Sequence, residues 1–219
     1  MLTRLQRVHA KFLESCRSLS GGRGYWDNVG PLRKWFAQLI TPIPLLALDD
    51  GGRTLYDALL WLEANCRSTP LSEDVIRHYH RTLAPKSPEP TGEYRRGKIV
   101  IERSAYAPPP ASRIPLLMKQ LNENAAKEQK RMDASNEPGD ALRRAVNVHH
   151  QIVWIHPFAD GNGRVARLAM NHLLRRYGLP YVILPPLSEA GEHFEALEEA
   201  NAGRLERLVS IADRHQYRV

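Results

Sequence analysis

Apolar residues recur at three- and four-residue intervals along almost the whole chain, the period of an α-helix that buries one face. Leu2, Leu5, Val8, Phe12 and Leu13 predict a first helix, ended by Gly21-Gly22-Arg23-Gly24. Pro31 opens a short helix to about Ile40, and Thr41-Pro42-Ile43-Pro44 stops it. A turn at Asp49-Asp50-Gly51-Gly52 precedes a helix marked by Leu55, Leu59, Leu60 and Leu62, and Leu71-Ser72-Glu73 starts another that reaches about Leu83. The pattern then changes. Pro85 to Gly92 reads as a proline-rich loop, and Lys98-Ile99-Val100-Ile101-Glu102 is β-branched, weakly alternating and too short for a helix. A β-hairpin is therefore expected from Arg96 to Tyr106, closed by Pro108-Pro109-Pro110.

Helical spacing resumes from about Ser112 to Lys127. The strongest stripe follows, in Leu142, Ala145, Val146, His149, Ile152 and Val153. It must stop near Ile155 or His156, because Pro157 pushes the residue before it out of helical geometry. Helicity restarts at about Gly163, with Val165, Leu168, Ala169, His172 and Leu173 on one face and Gly178 and Pro180 as terminators. Helices at about Glu189 to Ala200 and Arg204 to Arg214 complete the expectation of an all-α bundle with one short β-hairpin.

Composition adds three constraints. With 42% hydrophobic and 25% charged residues the chain is ordinary globular material, and no run approaches a membrane span or a secretory leader. The net charge of +7 invites a nucleic-acid reading, but the basic residues are scattered beside acids, with no Lys/Arg block or aromatic-interleaved stripe. A solvated surface plus an anion site accounts for the charge without a nucleic-acid partner. Cys16 and Cys66 have neither metal-type spacing nor a C-x-x-C pattern, so they read as reduced thiols of a cytoplasmic protein.

The chemistry concentrates in His156-Pro157-Phe158-Ala159-Asp160-Gly161-Asn162-Gly163-Arg164-Val165-Ala166-Arg167. This is a loop between two helices. The first amides of the second helix have no internal acceptors, and its dipole favours negative charge. Gly161 and Gly163 around Asn162 let a backbone approach a phosphate, and Arg164 and Arg167, three apart, share one face. Asp160 suits Mg²⁺, which takes its remaining ligands from water and phosphate oxygens, and His156 suits a general base toward a hydroxyl. A zinc site from His149, His156 and Asp160 finds no further histidine or cysteine at ligand spacing, and His150 and His172 read as packing or surface residues.

The segment resembles the signature of the Fic (Fido) family, H-P-F-x-[D/E]-G-N-G-R-x-x-R, at every specified position. Gly92-Glu93-Tyr94-Arg95, with the following Ile99-Val100-Ile101 and Pro108-Pro109-Pro110, resembles that family's flap hairpin. His193-Phe194-Glu195-Ala196-Leu197-Glu198-Glu199-Ala200-Asn201 is similar to its nucleoside-contacting helix. The resemblance implies a Fic-type helical bundle over residues 71–214, preceded by a helical extension at 1–70. It also implies a protein adenylyltransferase that moves AMP from ATP to a Ser, Thr or Tyr hydroxyl of a target. His156 would be the base and Asp160 the Mg²⁺ ligand. Gly161, Asn162 and Gly163 would form the anion hole, with Arg164 and Arg167 on the β- and γ-phosphates. Phe194 and Asn201 would contact adenosine, although Phe194 fits a core position equally well. Ile99 and Ile101 would present the flap to an extended target segment, or simply pack within the hairpin.

Members of the same family move UMP, GMP, phosphate or phosphocholine, and a chain with this loop could also serve as a non-catalytic nucleotide-binding module. Many carry an inhibitory [S/T]-x-x-x-E-[G/N] helix whose glutamate pairs with the second motif arginine. Here Glu63 is followed by Ala64-Asn65 with Leu59 at the Ser/Thr position, and Ser188-Glu189-Ala190-Gly191-Glu192 is followed by His193. Neither fits, so inhibition by a small separate antitoxin-like partner, a diverged inhibitory helix and constitutive activity all stand as readings.

Overall fold

A computed structural model describes residues 50–83, 89–101, 106–134, 141–184 and 191–217. The two helices expected before residue 49 lie outside the described residues. The described residues form seven α-helices: α1 (Asp50–Asn65), α2 (Glu73–Leu83), α3 (Ile114–Ala134), α4 (Ala141–Ile155), α5 (Asn162–Arg176), α6 (Gly191–Asn201) and α7 (Glu206–Arg214). A 3₁₀ turn at Ala111–Arg113 leads into α3. Residues 50–52 of the turn expected at 49–52 instead begin α1.

The centre is the antiparallel pair α4 and α5, whose facing stripes are almost entirely buried: Ala145, Val146, Ile152 and Ile155 on one side, Val165, Leu168, Ala169 and Leu173 on the other. α1 and α2 cover α5, with Leu59, Leu62, Ile76 and Tyr79 fully enclosed, and α3 covers α4. A short antiparallel bridge between β1 (Tyr181–Val182) and β2 (Gln216–Tyr217) ties the chain after α5 to the chain after α7. Four or more buried aliphatic side chains per central helix, at roughly 1.5–3 kcal/mol each, make this pair the chief source of cohesion and the rigid mount for the loop between them.

Buried amides fasten the connections. Gln129 accepts from the Leu71 N–H at 2.7 Å and donates to the Leu71 carbonyl at 2.9 Å. Asn171 does the same for Val182, accepting at 2.8 Å and donating at 3.0 Å. Each satisfies backbone groups that would otherwise be orphaned in the interior.

The β-hairpin expected at Arg96–Tyr106 is not a ladder among the described residues: 96–101 carry no strand assignment, and 102–105 lie outside the described residues. β-Branched alternation favours an extended chain but supplies no partner strand. Ile99 and Ile101 are half-buried while Val100 between them is 90% exposed, so exposure alternates along the stretch.

Candidate active site

The loop joining α4 to α5 is shaped by its own residues. His156 occupies the left-handed region at φ 50°, just beyond the last turn of α4, where its N–H still donates to the Ile152 carbonyl at 2.9 Å. That position normally favours glycine or asparagine, and a histidine there costs about 1–2 kcal/mol, a strain typical of functional positions. Its Nδ1 lies 3.1 Å from the Val153 carbonyl. A carbonyl only accepts, so Nδ1 carries the proton and Nε2 keeps a lone pair. Burial lowers the pKa of the ring, with the Arg95 charge adding to this against the hydrogen bond to Val153 and the Asp160 charge. The ring is neutral at neutral pH, the state a proton acceptor needs.

Gly161 turns the chain at φ 77° and caps α5, so no Cβ is tolerated there without strain. The next amides, at Asn162, Gly163 and Arg164, form the free N-terminus of α5; the ladder begins with the Val165 N–H on the Gly161 carbonyl at 3.0 Å. The Asn162 side chain does not face this opening. It is buried and folded back, accepting from the Phe158 N–H at 2.9 Å and donating to the Phe158 carbonyl at 2.8 Å. What Asn162 offers an anion is its backbone N–H. At Gly163 an added Cβ would meet only the Arg167 guanidinium at 3.7 Å, an ordinary contact, so this glycine keeps the helix end open and is not forced by strain.

Arg167 is 5% exposed, and its Nε has no hydrogen-bond partner. Among the described residues no carboxylate pairs with it. Burial, aggravated by the Arg164 charge, pulls its pKa down to about 10. Arg164 is less enclosed and reaches Asp160 at 3.2 Å across one helical turn. Asp160 itself is exposed at the mouth of the loop. Among the described residues no three His, Cys, Asp or Glu side chains cluster as a metal cage. An accessible single carboxylate beside an anion-accepting helix end does fit Mg²⁺, which needs few protein oxygens when phosphates supply the rest.

Two residues outside the motif brace this loop. Arg95, 3% exposed, donates from Nε to the His156 carbonyl at 2.8 Å, from Nη1 to Gly97 at 2.8 Å and from Nη2 to Pro109 at 2.6 Å. Its backbone N–H donates to the Pro157 carbonyl at 2.9 Å. In the sequence Arg95 stands out only by its place next to Tyr94 and amid Pro88, Pro90, Gly92 and Gly97, and its burial is visible in the structure alone. His80 is the second, and no feature of its sequence context separates it from a core histidine.

The expected nucleoside residues lie on α6, which packs on α4. Asn201 is exposed, with its Oδ1 2.8 Å from Nε2 of His150, and His193 faces His149 with ring centres 5.9 Å apart. His149 is fully enclosed, and burial, then His193 and Arg167, push its pKa well down. Phe194, next to His193, is half-buried and so is not a core residue. Glu63, the nearest approach to an inhibitory glutamate, is committed elsewhere: it accepts from Arg175 Nε at 2.7 Å and from the Tyr181 hydroxyl at 2.6 Å.

The bundle thus places a strained histidine on the loop between α4 and α5, an open helix N-terminus beside it, and a buried arginine further along α5. Residues 70–174 match the model of the Fic/DOC family. The chain is 34% identical over 142 residues to the protein adenylyltransferase Fic of Drosophila grimshawi, covering 64% of this chain but 28% of that protein. A Fic-domain-containing signaling protein of Bacteroides thetaiotaomicron shares the fold at a TM-score of 0.66 and 19% identity, covering 94% of this chain and 92% of that one. Fic-1 (residues 134–508) of Caenorhabditis elegans does so at a TM-score of 0.66 and 22% identity, covering 96% and 68%. Among the described residues no helix is long and apolar enough to cross a membrane.

Proposed function

We propose that this chain is a protein adenylyltransferase that moves AMP from ATP to a Ser, Thr or Tyr hydroxyl of a target protein. The observation that carries the reading is Arg167, a buried guanidinium with no acid partner among the described residues, set behind an open helix N-terminus. Burying an unpaired charge costs several kcal/mol, and an incoming polyphosphate offsets that cost. The similarity to curated adenylyltransferases supports the choice of nucleotide and of group transferred.

In this mechanism Nε2 of His156 accepts the proton of the target hydroxyl as its oxygen attacks the α-phosphorus of ATP. The bond between that phosphorus and the bridging oxygen to the β-phosphate breaks, and pyrophosphate leaves with the pair. The backbone N–H groups at Asn162, Gly163 and Arg164 hold the departing phosphates, with Arg167 and Arg164 adding charge. Mg²⁺ at Asp160 would neutralise phosphate charge when bound. Phe194 and Asn201 serve the adenosine, and the Ile99–Ile101 stretch docks the target as an extended segment. Cells supply ATP, Mg²⁺ and target together in the cytoplasm, which suits this chemistry.

Incubation with ATP labelled at the α-phosphate, Mg²⁺ and cell lysate should label protein, with mass spectrometry giving an added AMP and the acceptor. His156→Ala should lower labelling by at least about a thousandfold, the scale of losing a general base together with its placement. Labelling absent with wild type, or equal with His156→Ala, overturns the reading.

A further inference from the structure

His80, on α2, lies 76 residues before His156 in the chain but touches both halves of the site. The Gly92 N–H donates to Nδ1 of His80 at 2.6 Å. Since Nδ1 accepts, the ring proton sits on Nε2, which lies 3.2 Å from the Asp160 carbonyl and donates to it. The ring is 1% exposed and stacks on Phe158 at 3.9 Å with an interplanar angle of 8°. Tyr94, two residues beyond Gly92, covers another side of Phe158 at 5.6 Å. A neutral imidazole therefore bridges the base of the 93–101 stretch to the backbone of the Asp160 turn, and its face is pinned by the loop it braces.

The bridge is rigid at both ends. Gly92 sits at φ 87°, and a Cβ there would come within 2.7 Å of Arg81 Cγ, so no other residue brings its N–H to this point unstrained. The Gly92 carbonyl also accepts from Arg77 at 3.1 Å. At the other end, the Asp160 carbonyl belongs to the residue whose carboxylate meets Arg164. Moving His80 would shift the Asp160 turn and the start of the extended stretch together.

We infer that His80 is a positioning residue that sets the phosphate-loop carboxylate and the target-docking stretch in one fixed geometry. The inference rests on the adenylyltransferase reading for what each end does, but the physical link stands apart from it. Loss of an outer partner of this kind typically costs about 10–100-fold in metal affinity or activity.

Three variants separate the two ends. His80→Phe keeps the ring stack and loses both hydrogen bonds. His80→Asn keeps an acceptor for the Gly92 N–H and loses the donor to Asp160. His80→Gln places an amide donor toward Asp160 and loses the acceptor for Gly92. Amide hydrogen exchange at Gly92 should speed up about tenfold in His80→Phe and His80→Gln and stay near wild type in His80→Asn. With the acceptor protein recovered by labelling, the Mg²⁺ concentration for half-maximal transfer should rise at least about tenfold in His80→Phe and His80→Asn, and recover in His80→Gln. KM for the acceptor should follow the opposite pattern, raised in His80→Gln and recovered in His80→Asn. Unchanged Gly92 exchange in His80→Gln, or a fall in kcat shared by all three variants with Mg²⁺ requirement and KM unmoved, overturns the inference. If wild type transfers nothing, the adenylyltransferase reading fails, and Gly92 exchange still decides the link.

Discussion

Replacing Asn162 by alanine should damage the loop before it damages any ligand contact. The amide makes two hydrogen bonds to the Phe158 backbone, at 2.9 and 2.8 Å, in a position only 2% exposed. A buried hydrogen bond contributes about 1 kcal/mol net, and leaving the Phe158 N–H without a partner adds a desolvation penalty of about 1–3 kcal/mol. Alanine recovers roughly 0.5 kcal/mol through its better helix propensity at the first position of α5. The net loss is about 2.5–4.5 kcal/mol, or roughly 5–18 °C in Tm for a chain of this size. Urea denaturation and scanning calorimetry on Asn162→Ala measure it directly. Asn162→Asp is the companion: it keeps the acceptor for the Phe158 N–H but sets an oxygen against the Phe158 carbonyl and a negative charge at the open N-terminus of α5. It should bind ATP worse than its stability alone accounts for. Stability within about 0.5 kcal/mol of wild type in Asn162→Ala, together with lost ATP binding, would show that the amide serves the ligand and not the loop.

Two further outcomes follow from groups away from the loop. Glu63→Ala strips Arg175 and the Tyr181 hydroxyl of their shared acceptor in a mostly buried pocket, and should cost about 3 kcal/mol by urea denaturation. It should not raise transfer per folded molecule, and an increased labelling rate would reveal Glu63 as an inhibitory glutamate after all. His172 accepts from the Tyr79 hydroxyl at 2.7 Å and donates to the Thr69 carbonyl at 2.8 Å, and burial, chiefly, brings its pKa down to about 4. Its folded pKa lies below the unfolded value, so its contribution is intact above about pH 6.5 and is lost as pH falls toward 4, by about 1.4 kcal/mol per pH unit. His172→Gln should flatten the stability profile in that window by about one proton, and an unchanged slope would count against the neutral buried ring.

The helices were legible because burial on one face imposes a 3.6-residue period, and this set the bounds of α2 and α5 and the end of α4 within a residue or two. The loop was legible because glycine, proline and charge requirements are local. The direction of the Asn162 side chain was not, since an amide beside two glycines serves a ligand or a backbone equally well until Phe158 is placed. Arg96 to Tyr106 reads as a hairpin because alternation reports extended chain, whereas pairing depends on a second segment. His80 was invisible for the same reason at longer range: Gly92 and Asp160, twelve and eighty residues away, are what give it a task.

The strap between Asn162 and Phe158 also governs how the molecule ages. Asn162-Gly163 is the sequence most prone to spontaneous deamidation, in which the glycine nitrogen attacks the asparagine side-chain carbonyl, ammonia leaves, and the imide hydrolyses to aspartate or isoaspartate. Helical backbone at Gly163 and an amide held at both its atoms keep nitrogen and carbonyl from meeting. The folded protein is thereby its own preservative, and each excursion to the unfolded state exposes one bond whose rearrangement would put a permanent negative charge, or an extra backbone carbon, at the open N-terminus of α5.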